Sequence, residues 1–224
     1  STHCISSAAS DVYKRQLIAP ALGKAAMKIG ELIMLATNLQ PFLMGIAVSV
    51  LVGIALTLPI SSAAICAAFG LTGLAGGAAV AGCCAQMIGF AVMSFKENGW
   101  GGLVSQGIGT SMLQMGNIIK NPRIWIAPIV TSAITGPVAT CLFKLQMNGT
   151  AVSSGMGTCG FVGQIGVYSG WVNDVAAGTK SAITMMDWAG LILISFILPA
   201  VICPFINWLL KKAGWVKDGD MKLQ

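Results

Sequence analysis

Residues 32–95 read LIMLATNLQPFLMGIAVSVLVGIALTLPISSAAICAAFGLTGLAGGAAVAGCCAQMIGFAVMSF, and this run contains no Asp, Glu, Lys or Arg. One helical crossing of a bilayer needs about 20 apolar residues, so at least two crossings fit into the run. Over the whole chain 55% of residues are hydrophobic and only 9% are charged, whereas about a quarter are charged in soluble domains. The sequence therefore predicts a polytopic membrane protein.

The positions of the apolar runs predict the individual crossings. Phe42–Leu58 is the first clear crossing, and Ile60–Phe95 is long enough for two short or tightly packed segments. Ile124–Leu142 and Trp188–Leu210 follow. Pro128 and Gly136-Pro137 predict a kink or break in the former, and Pro199 and Pro204 interrupt the latter. We expect an all-α bundle of about five to six transmembrane helices, to which glycine-rich re-entrant or broken segments are added.

Two glycine-rich, mildly polar stretches interrupt this pattern. Lys96–Arg123 is the first long polar connection, and its composition argues against exposure to lipid. Leu145–Lys180 lacks the charge of a solvated loop and has many glycines, which favours a re-entrant segment. Non-helical backbone at membrane depth is tolerated only where protein or a water-filled cavity surrounds it.

The distribution of Lys and Arg predicts the orientation in the membrane. If Ile124–Leu142 and Trp188–Leu210 each cross once, the basic residues of Lys96–Arg123 and those after Leu210 fall on the same side. Basic residues near crossings favour the cytoplasmic side. We therefore expect a multi-pass protein of the bacterial inner membrane with a cytoplasmic C-terminus.

The first sixteen residues differ from the rest in composition. Residues 11–16 read DVYKRQ, which resembles an in-frame translation of the transposase mosaic end used in sequencing libraries. We interpret residues 1–16 as a non-native adapter-derived segment and expect an N-terminally truncated chain. Residues 17–210 would then be a membrane-embedded domain, the C-terminal part of a longer protein, and residues 211–224 a basic cytoplasmic tail.

Uncharged polar residues of the first stretch are candidates for substrate contacts. Gln106, Thr110, Gln114 and Asn117 are three or four residues apart, so they would share one face if the stretch is helical. Such a stripe could line a ligand path. The alternative is an interfacial amphipathic helix whose polar face meets water.

Two further candidates lie in the second stretch, and another lies at the start of the first. The exposed backbone groups of Gly155–Gly160, together with Thr158 and Gln164, would face a polar cavity where a neutral polyol could exchange its hydrogen bonds with water for bonds to the protein. Glu97 is the acidic residue that we single out for a substrate or proton contact, because ionisable groups near membrane depth are functional candidates. The substrate-binding hypothesis thus comprises Glu97, Thr110, Gln114, Asn117, Thr158 and Gln164.

Other chemistry has little support in the sequence. The only histidine is His3, in the segment we consider foreign, so the native part has no residue suited to a phosphoryl relay near neutral pH. The remaining cysteines have neither the paired spacing nor the histidine partners of a zinc site. The net charge of +6 comes from residues that flank crossings, which does not indicate nucleic-acid binding. We expect no catalytic residue, metal or cofactor.

Several motifs together resemble one family. These motifs are Pro59–Ala64, Gly107–Met112, Asn121-Pro122, Gly136-Pro137 and Gly155–Gln164. In them the chain resembles the EIIC-type membrane subunits of the phosphoenolpyruvate-dependent sugar phosphotransferase system. The resemblance is to the perfringolysin-O-regulator-like branch in particular. The likeness covers nearly all of residues 17–224. It implies a homodimeric sugar-translocating subunit whose phosphoryl transfer is performed by separate cytoplasmic subunits of the IIA and IIB type.

Three functions follow as hypotheses. The first is a permease subunit that translocates a sugar or polyol and is coupled to phosphorylation by those cytoplasmic partners. The second is a membrane-embedded sensor that regulates gene expression without transport. The third is an ion-coupled carrier of small solutes, which would depend on a carboxylate such as Glu97.

Overall fold

A computed structural model describes residues 23–223 of the chain apart from residue 25, so the proposed adapter segment lies outside the described residues. The described part is helical and has no β-strand. Its α-helices are α1 (residues 26–37), α2 (Pro41–Thr57), α3 (Ser62–Ala68), α4 (Gly73–Met93), α5 (Phe95–Val104), α6 (Met115–Lys120), α7 (Ile126–Pro137), α8 (Ala151–Ser154), α9 (Val162–Ala176), α10 (Met185–Ile192) and α11 (Leu198–Lys212). Tighter or wider turns occupy Ser105–Gly109, Val138–Leu142 and Leu193–Ile197 (π-helical) and Ser111–Gln114, Pro122–Trp125 and Cys159–Phe161 (3₁₀).

Three helical stretches in the described part are long and apolar enough to cross a membrane. They are Gly73–Met93, Pro122–Leu142 and Met185–Lys212, and the shorter α2 is also strongly apolar. At 1.5 Å per residue, a helix of about 20 residues matches the roughly 30 Å of hydrocarbon in a bilayer. This architecture confirms the predicted all-α membrane protein.

Helix α4 lies at the centre of the bundle because its small residues admit other backbones. A Cβ atom built on Gly82 would overlap the main-chain carbonyl of Ser49 in α2, and one on Gly77 would overlap the carbonyl of Leu145. Gly136 of α7 likewise meets the carbonyl of Gly45 in α2. In lipid, where hydrophobic burial does not drive helices together, this close van der Waals contact supplies the packing energy. The glycines of α4 and α7 thus allow close helix packing.

In the proline-containing crossings, a wide turn replaces regular α-helix after Gly136-Pro137 and before Pro199, whereas α11 continues through Pro204. Helix α7 ends at Gly136-Pro137 and continues as the π-helical turn Val138–Leu142. In the last crossing, the turn Leu193–Ile197 precedes Pro199, which has no N–H to give the carbonyl of Ser195. Pro128 causes no break, because it lies in the first turn of α7. Both crossings are therefore continuous helices with a local wide turn.

The second glycine-rich stretch forms a re-entrant hairpin, residues 145–176, which we call the second re-entrant segment. Its start pairs with the beginning of α4 through the N–H of Gly73 and the carbonyl of Met147, 2.9 Å apart. Gly157 then lies against Cys83, halfway along α4. Helix α9 returns the chain until Gly170 packs on Asn148. The segment enters and leaves at the Gly73 end of α4, as the sequence predicts.

The first glycine-rich stretch folds back from the opposite end. Residues 94–121, which we call the first re-entrant segment, start where α4 ends, and Gly107 reaches up to Ala91 and Ile88 of α4. Ile118 near its end returns to the apolar cluster around Met93. Both ends of this segment therefore lie at the Met93 end of α4.

The close contact at Gly82 gives a stability prediction. In the Gly82→Val variant the added side chain meets a main-chain carbonyl that cannot rotate away, and overpacking of a core costs about 1–3 kcal/mol. We expect a lower thermal unfolding midpoint of the purified protein in detergent, measured by tryptophan fluorescence. Gly116→Val in α6, where nothing lies within 4 Å of the added Cβ, is the matched control. Equal midpoints for the two variants would contradict this packing.

Candidate functional site

The two re-entrant segments touch in the interior of the bundle. The hydroxyl Oγ1 of Thr158 donates a hydrogen bond to the carbonyl of Gly107 at 2.6 Å, and it lies 3.6 Å from Sδ of Met87 in α4. Thr158 is fully buried. The preceding Gly157 has φ of 54° and packs on Cys83, a conformation and a space that only glycine fits. Segments from opposite ends of α4 are thereby joined beside that helix.

A second polar group surrounds Gln86, on α4. Its Oε1 accepts hydrogen bonds from Trp125 Nε1 at 3.0 Å and from Thr57 Oγ1 at 3.3 Å. The hydroxyl of Thr57 is also 2.9 Å from that of Ser111, in the first re-entrant segment. Gln86 is fully buried, yet its Nε2 has no hydrogen-bond partner in the described part of the chain. A buried donor without a partner costs about 1–3 kcal/mol, so this amide is a candidate ligand contact.

Gln164, on α9, shows the complementary situation. Its Nε2 donates to Ser195 Oγ at 3.0 Å and lies 3.3 Å from Cys84 Sγ. Its Oε1 is buried and has no partner among the described residues. Asn207 Oδ1, in α11, is likewise buried without a partner in the described part. Of these atoms, Gln86 Nε2 can donate to, and Gln164 Oε1 can accept from, the hydroxyl groups of a neutral ligand.

Gln114 and Asn117 form a chain of amides in the first re-entrant segment. Gln106 Nε2 donates to Ser94 Oγ at 2.8 Å, Gln114 Nε2 donates to Gln106 Oε1 at 2.8 Å, and Asn117 Nδ2 donates to Gln114 Oε1 at 2.8 Å. The predicted polar stripe thus exists for these three residues, although π-helical and 3₁₀ turns replace a regular helix. Thr110 stands apart and caps the 3₁₀ turn by accepting from the N–H of Met112.

Gln114 and Asn117, together with Glu97, bind the C-terminal segment, residues 213–223. Glu97 accepts hydrogen bonds from the N–H groups of Gly219 at 3.0 Å and Met221 at 2.9 Å. Gln114 Nε2 donates to the carbonyl of Met221 at 3.0 Å, and Asn117 Nδ2 donates to that of Lys222 at 3.1 Å. Met221 is fully buried beneath them. Three of the six predicted site residues, Glu97, Gln114 and Asn117, therefore bind the backbone of the C-terminal segment in this conformation.

Basic residues collect at this end of the bundle. The contact between Glu97 and the C-terminal segment places both basic stretches at the Met93 end, on one side as their distribution predicts. Arg123 lies over the ring of Trp215, with 5.6 Å from Cζ to the ring centroid. A hydrogen bond from the Lys211 ammonium lowers the pKa of the exposed Asp218. The Met93 end thus presents a positively charged surface.

Gln86 is the residue that the sequence analysis missed. It is the only amide or charged side chain of α4, and a polar side chain in an otherwise apolar crossing is expensive unless it has a role. That signal was available from the sequence. The partners of Gln86 could not be foreseen, because they come from α2 and from the turn before α7.

The possible metal ligands and the cysteines of the described part are scattered or buried. Within it, no three His, Cys, Asp or Glu side chains come together as a metal site. Cys66, Cys83, Cys84 and Cys203 are buried and free, in accord with packing roles. The buried polar side chains of the described part are hydroxyls and amides, which act by hydrogen bonding.

Comparison with known proteins gives one match. Residues 9–223 match the model of the family described as "Phosphotransferase system, EIIC". The matched range starts inside the segment 1–16. The search of the curated proteins and the search of the solved structures find no match.

The role of Glu97 at the C-terminal segment can be tested by hydrogen exchange. Glu97→Gln loses the charge that strengthens two hydrogen bonds, and bonds to charged groups are worth about 1.5–3 kcal/mol. We expect the amides of Gly219 and Met221 to exchange about tenfold faster or more, as measured by mass spectrometry. Glu31→Gln, an exposed position in α1, is the control. Unchanged protection in Glu97→Gln would show that burial of Met221 alone fixes the segment.

Proposed function

Because the chain belongs to the EIIC family of the phosphotransferase system, we propose that it moves a neutral sugar or polyol across the membrane past the contact between the two re-entrant segments. The family makes the chain a membrane-embedded sugar-permease component of that system. The position of the path, the neutral substrate and the coupling to particular partners are our inference.

The observation that carries the proposal is the hydrogen bond between Thr158 and Gly107. It joins non-helical backbone that enters from both ends of α4, and such backbone at membrane depth lines protein-enclosed cavities. Transporters place their substrate sites where broken helices meet near the middle of the membrane. Separation of Thr158 from Gly107 would open a route from one end of α4 to the other.

The buried polar residues favour an uncharged substrate. Those that the structure describes are serine, threonine, asparagine and glutamine. Their hydroxyls and amides can exchange hydrogen bonds with the hydroxyls of a sugar, whereas a charged substrate would need compensation in this low-dielectric interior. Gln86 Nε2 and Gln164 Oε1, which have no partner among the residues that the structure describes, would supply a donor and an acceptor. Thr158 and Gln164 thus remain our pathway residues, and Gln86 joins them.

Substrate contacts by the other predicted residues require a further change. Glu97, Gln114 and Asn117 bind the C-terminal segment, so sugar can reach them only after that segment leaves. Thr110 is near Gly107 in the sequence, and its hydroxyl bonds to the N–H of Met112 and not to the C-terminal segment. It therefore needs no such release. We therefore assign Glu97, Gln114 and Asn117 to a gate at the Met93 end.

Phosphoryl transfer would come from cytoplasmic partners of the IIA and IIB type. Residues 17–224 contain no histidine, so a phosphohistidine would have to lie outside this part of the protein, as it would on a IIA- or IIB-type partner. The basic residues at the Met93 end favour a cytoplasmic position for that end and for the C-terminus. A homodimer is part of the proposal, and the exposed face of α11 with Val201, Phe205 and Trp208 can contact lipid or a second copy.

The path predicts a transport defect from one substitution. Thr158→Val preserves the shape of the side chain but removes the hydrogen bond to Gly107 and a hydroxyl from the path. We expect membrane vesicles that contain this variant to lose most uptake of the labelled sugar that the wild type accumulates, while membrane insertion is retained. Uptake is measured with phosphoenolpyruvate and the soluble phosphotransfer proteins present.

Thr131→Val is the matched control for this experiment. Thr131 is equally buried, but its hydroxyl bonds to the carbonyl of Ala127 within its own helix. Uptake by this variant should stay near the wild-type level. Wild-type uptake by Thr158→Val would contradict the proposed path, and sugar binding by the wild type without accumulation would favour the sensor hypothesis.

A further inference from the structure

A polar cavity of about 540 Å³ opens at the Gly73 end of α4, away from the C-terminal segment. It lies between the mouth of the second re-entrant segment, the end of α9 and the start of α10. Its volume falls in the range of about 300–1,000 Å³ that is usual for small-molecule sites. Its polar lining consists mainly of Lys144, Gln146, Asn148, Asp174, Lys180 and Asp187.

The charges in this lining balance. Lys180 Nζ forms an ion pair with Asp187 Oδ1 at 2.7 Å. Asp174 Oδ2 accepts a hydrogen bond from Asn148 Nδ2 at 2.7 Å, and Lys144 has no ion-pair partner in the described part of the chain. Two lysines and two aspartates give the lining no net formal charge that would select an anion or a cation. The lining favours a ligand without net charge that has many hydrogen-bond donors and acceptors.

The wall of the cavity is partly aromatic. Trp171 packs edge-on against Trp188, with ring centroids 5.7 Å apart, and the ammonium of Lys180 lies 5.2 Å from the Trp171 ring centroid. Phe143, also in the lining, rests on Gly190, where any Cβ would meet its ring at 2.7 Å. An aromatic wall beside amides and carboxylates suits the alternating C–H and O–H groups of a saccharide.

The cavity is connected with the path through one continuous piece of chain. Asn148 and Asp174 lie at the two ends of the second re-entrant segment, and Thr158 and Gln164 lie between them. A ligand that bridges Asn148 and Asp174 therefore binds both ends of the segment whose inner part touches Gly107.

We propose that this cavity is a second, peripheral binding site that takes up an uncharged saccharide of more than one ring before it reaches the path. The inference rests on the proposed function and adds to it the place and the size class of the substrate. Asp174 and Lys144 are specificity-determining residues of this site. The ion pair between Lys180 and Asp187 holds its outer wall.

Equilibrium dialysis tests the site with the full-length protein in lipid nanodiscs. The probes are labelled glucose, maltose, lactose, cellobiose and maltotriose. We expect the wild type to bind at least one di- or trisaccharide more tightly than glucose. Asp174→Asn and Lys144→Gln should each weaken this binding about tenfold, because each removes a charged hydrogen-bonding partner. Asp218→Asn, exposed at the opposite end of the bundle, is the control and should bind as the wild type does.

The outcomes separate this inference from the proposed function. Binding that is retained in Thr158→Val while uptake is lost, together with a raised KM but unchanged maximal uptake in Lys144→Gln, supports a separate site. Wild-type affinity in both Asp174→Asn and Lys144→Gln overturns the site, even if Thr158→Val abolishes uptake and so upholds the path. If Asp174→Asn does not fold, as judged by size-exclusion chromatography, the exposed Lys144→Gln decides alone. Failure of every probe to bind the wild type also overturns the inference.

Discussion

Lipid cannot satisfy a backbone amide, and this constraint governs the whole architecture. Two segments of irregular backbone penetrate the bundle, so protein must surround them on all sides. Helix α4 makes this possible, because its glycines and alanines let α2, α7 and the re-entrant backbone approach within van der Waals distance. The packing that stabilises the bundle and the enclosure of the polar segments are therefore the same set of contacts.

Polarity is graded along α4 in a way that suits a carrier of neutral solutes. Charged side chains lie at the two ends, as in the cavity at the Gly73 end and the C-terminal segment at the Met93 end. Uncharged hydroxyls and amides occupy the interior. The hypothesis of an ion-coupled carrier assigned its key role to Glu97, but both carboxylate oxygens of Glu97 bind main-chain N–H groups. That arrangement favours an anchor for the C-terminal segment.

Local features of the sequence were sufficient for the helices and their interruptions. The absence of charge from residues 32–95 predicts buried or lipid-facing helices, and Gly136-Pro137 marks the end of regular α-helix. The many glycines of Leu145–Lys180 disfavour a regular membrane helix, and its low charge disfavours a solvated loop, so together they predict the second re-entrant segment.

Long-range pairing could not be predicted in the same way. Gln114 and the carbonyl of Met221 are far apart in the chain, and nothing in either sequence neighbourhood indicates the bond between them. The cavity residues Asn148, Asp174 and Lys180 each resemble ordinary loop residues until the return of α9 brings them together. Side-chain partners depend on tertiary packing, which hydrophobic pattern and turn chemistry leave open.

The central claim is that the two re-entrant segments meet in the path, and a reversible crosslink tests it most directly. Cysteines are introduced at both contact positions by Gly107→Cys and Thr158→Cys, and an added Cβ at Gly107 makes only ordinary contacts of 3.5 Å. Mild oxidation should join them, as mass spectrometry of the linked peptides would show, and should block sugar uptake until a reductant restores it. Absence of the crosslink would contradict the account. So would uptake by the crosslinked protein that is as fast as uptake by the same protein after the reductant is added.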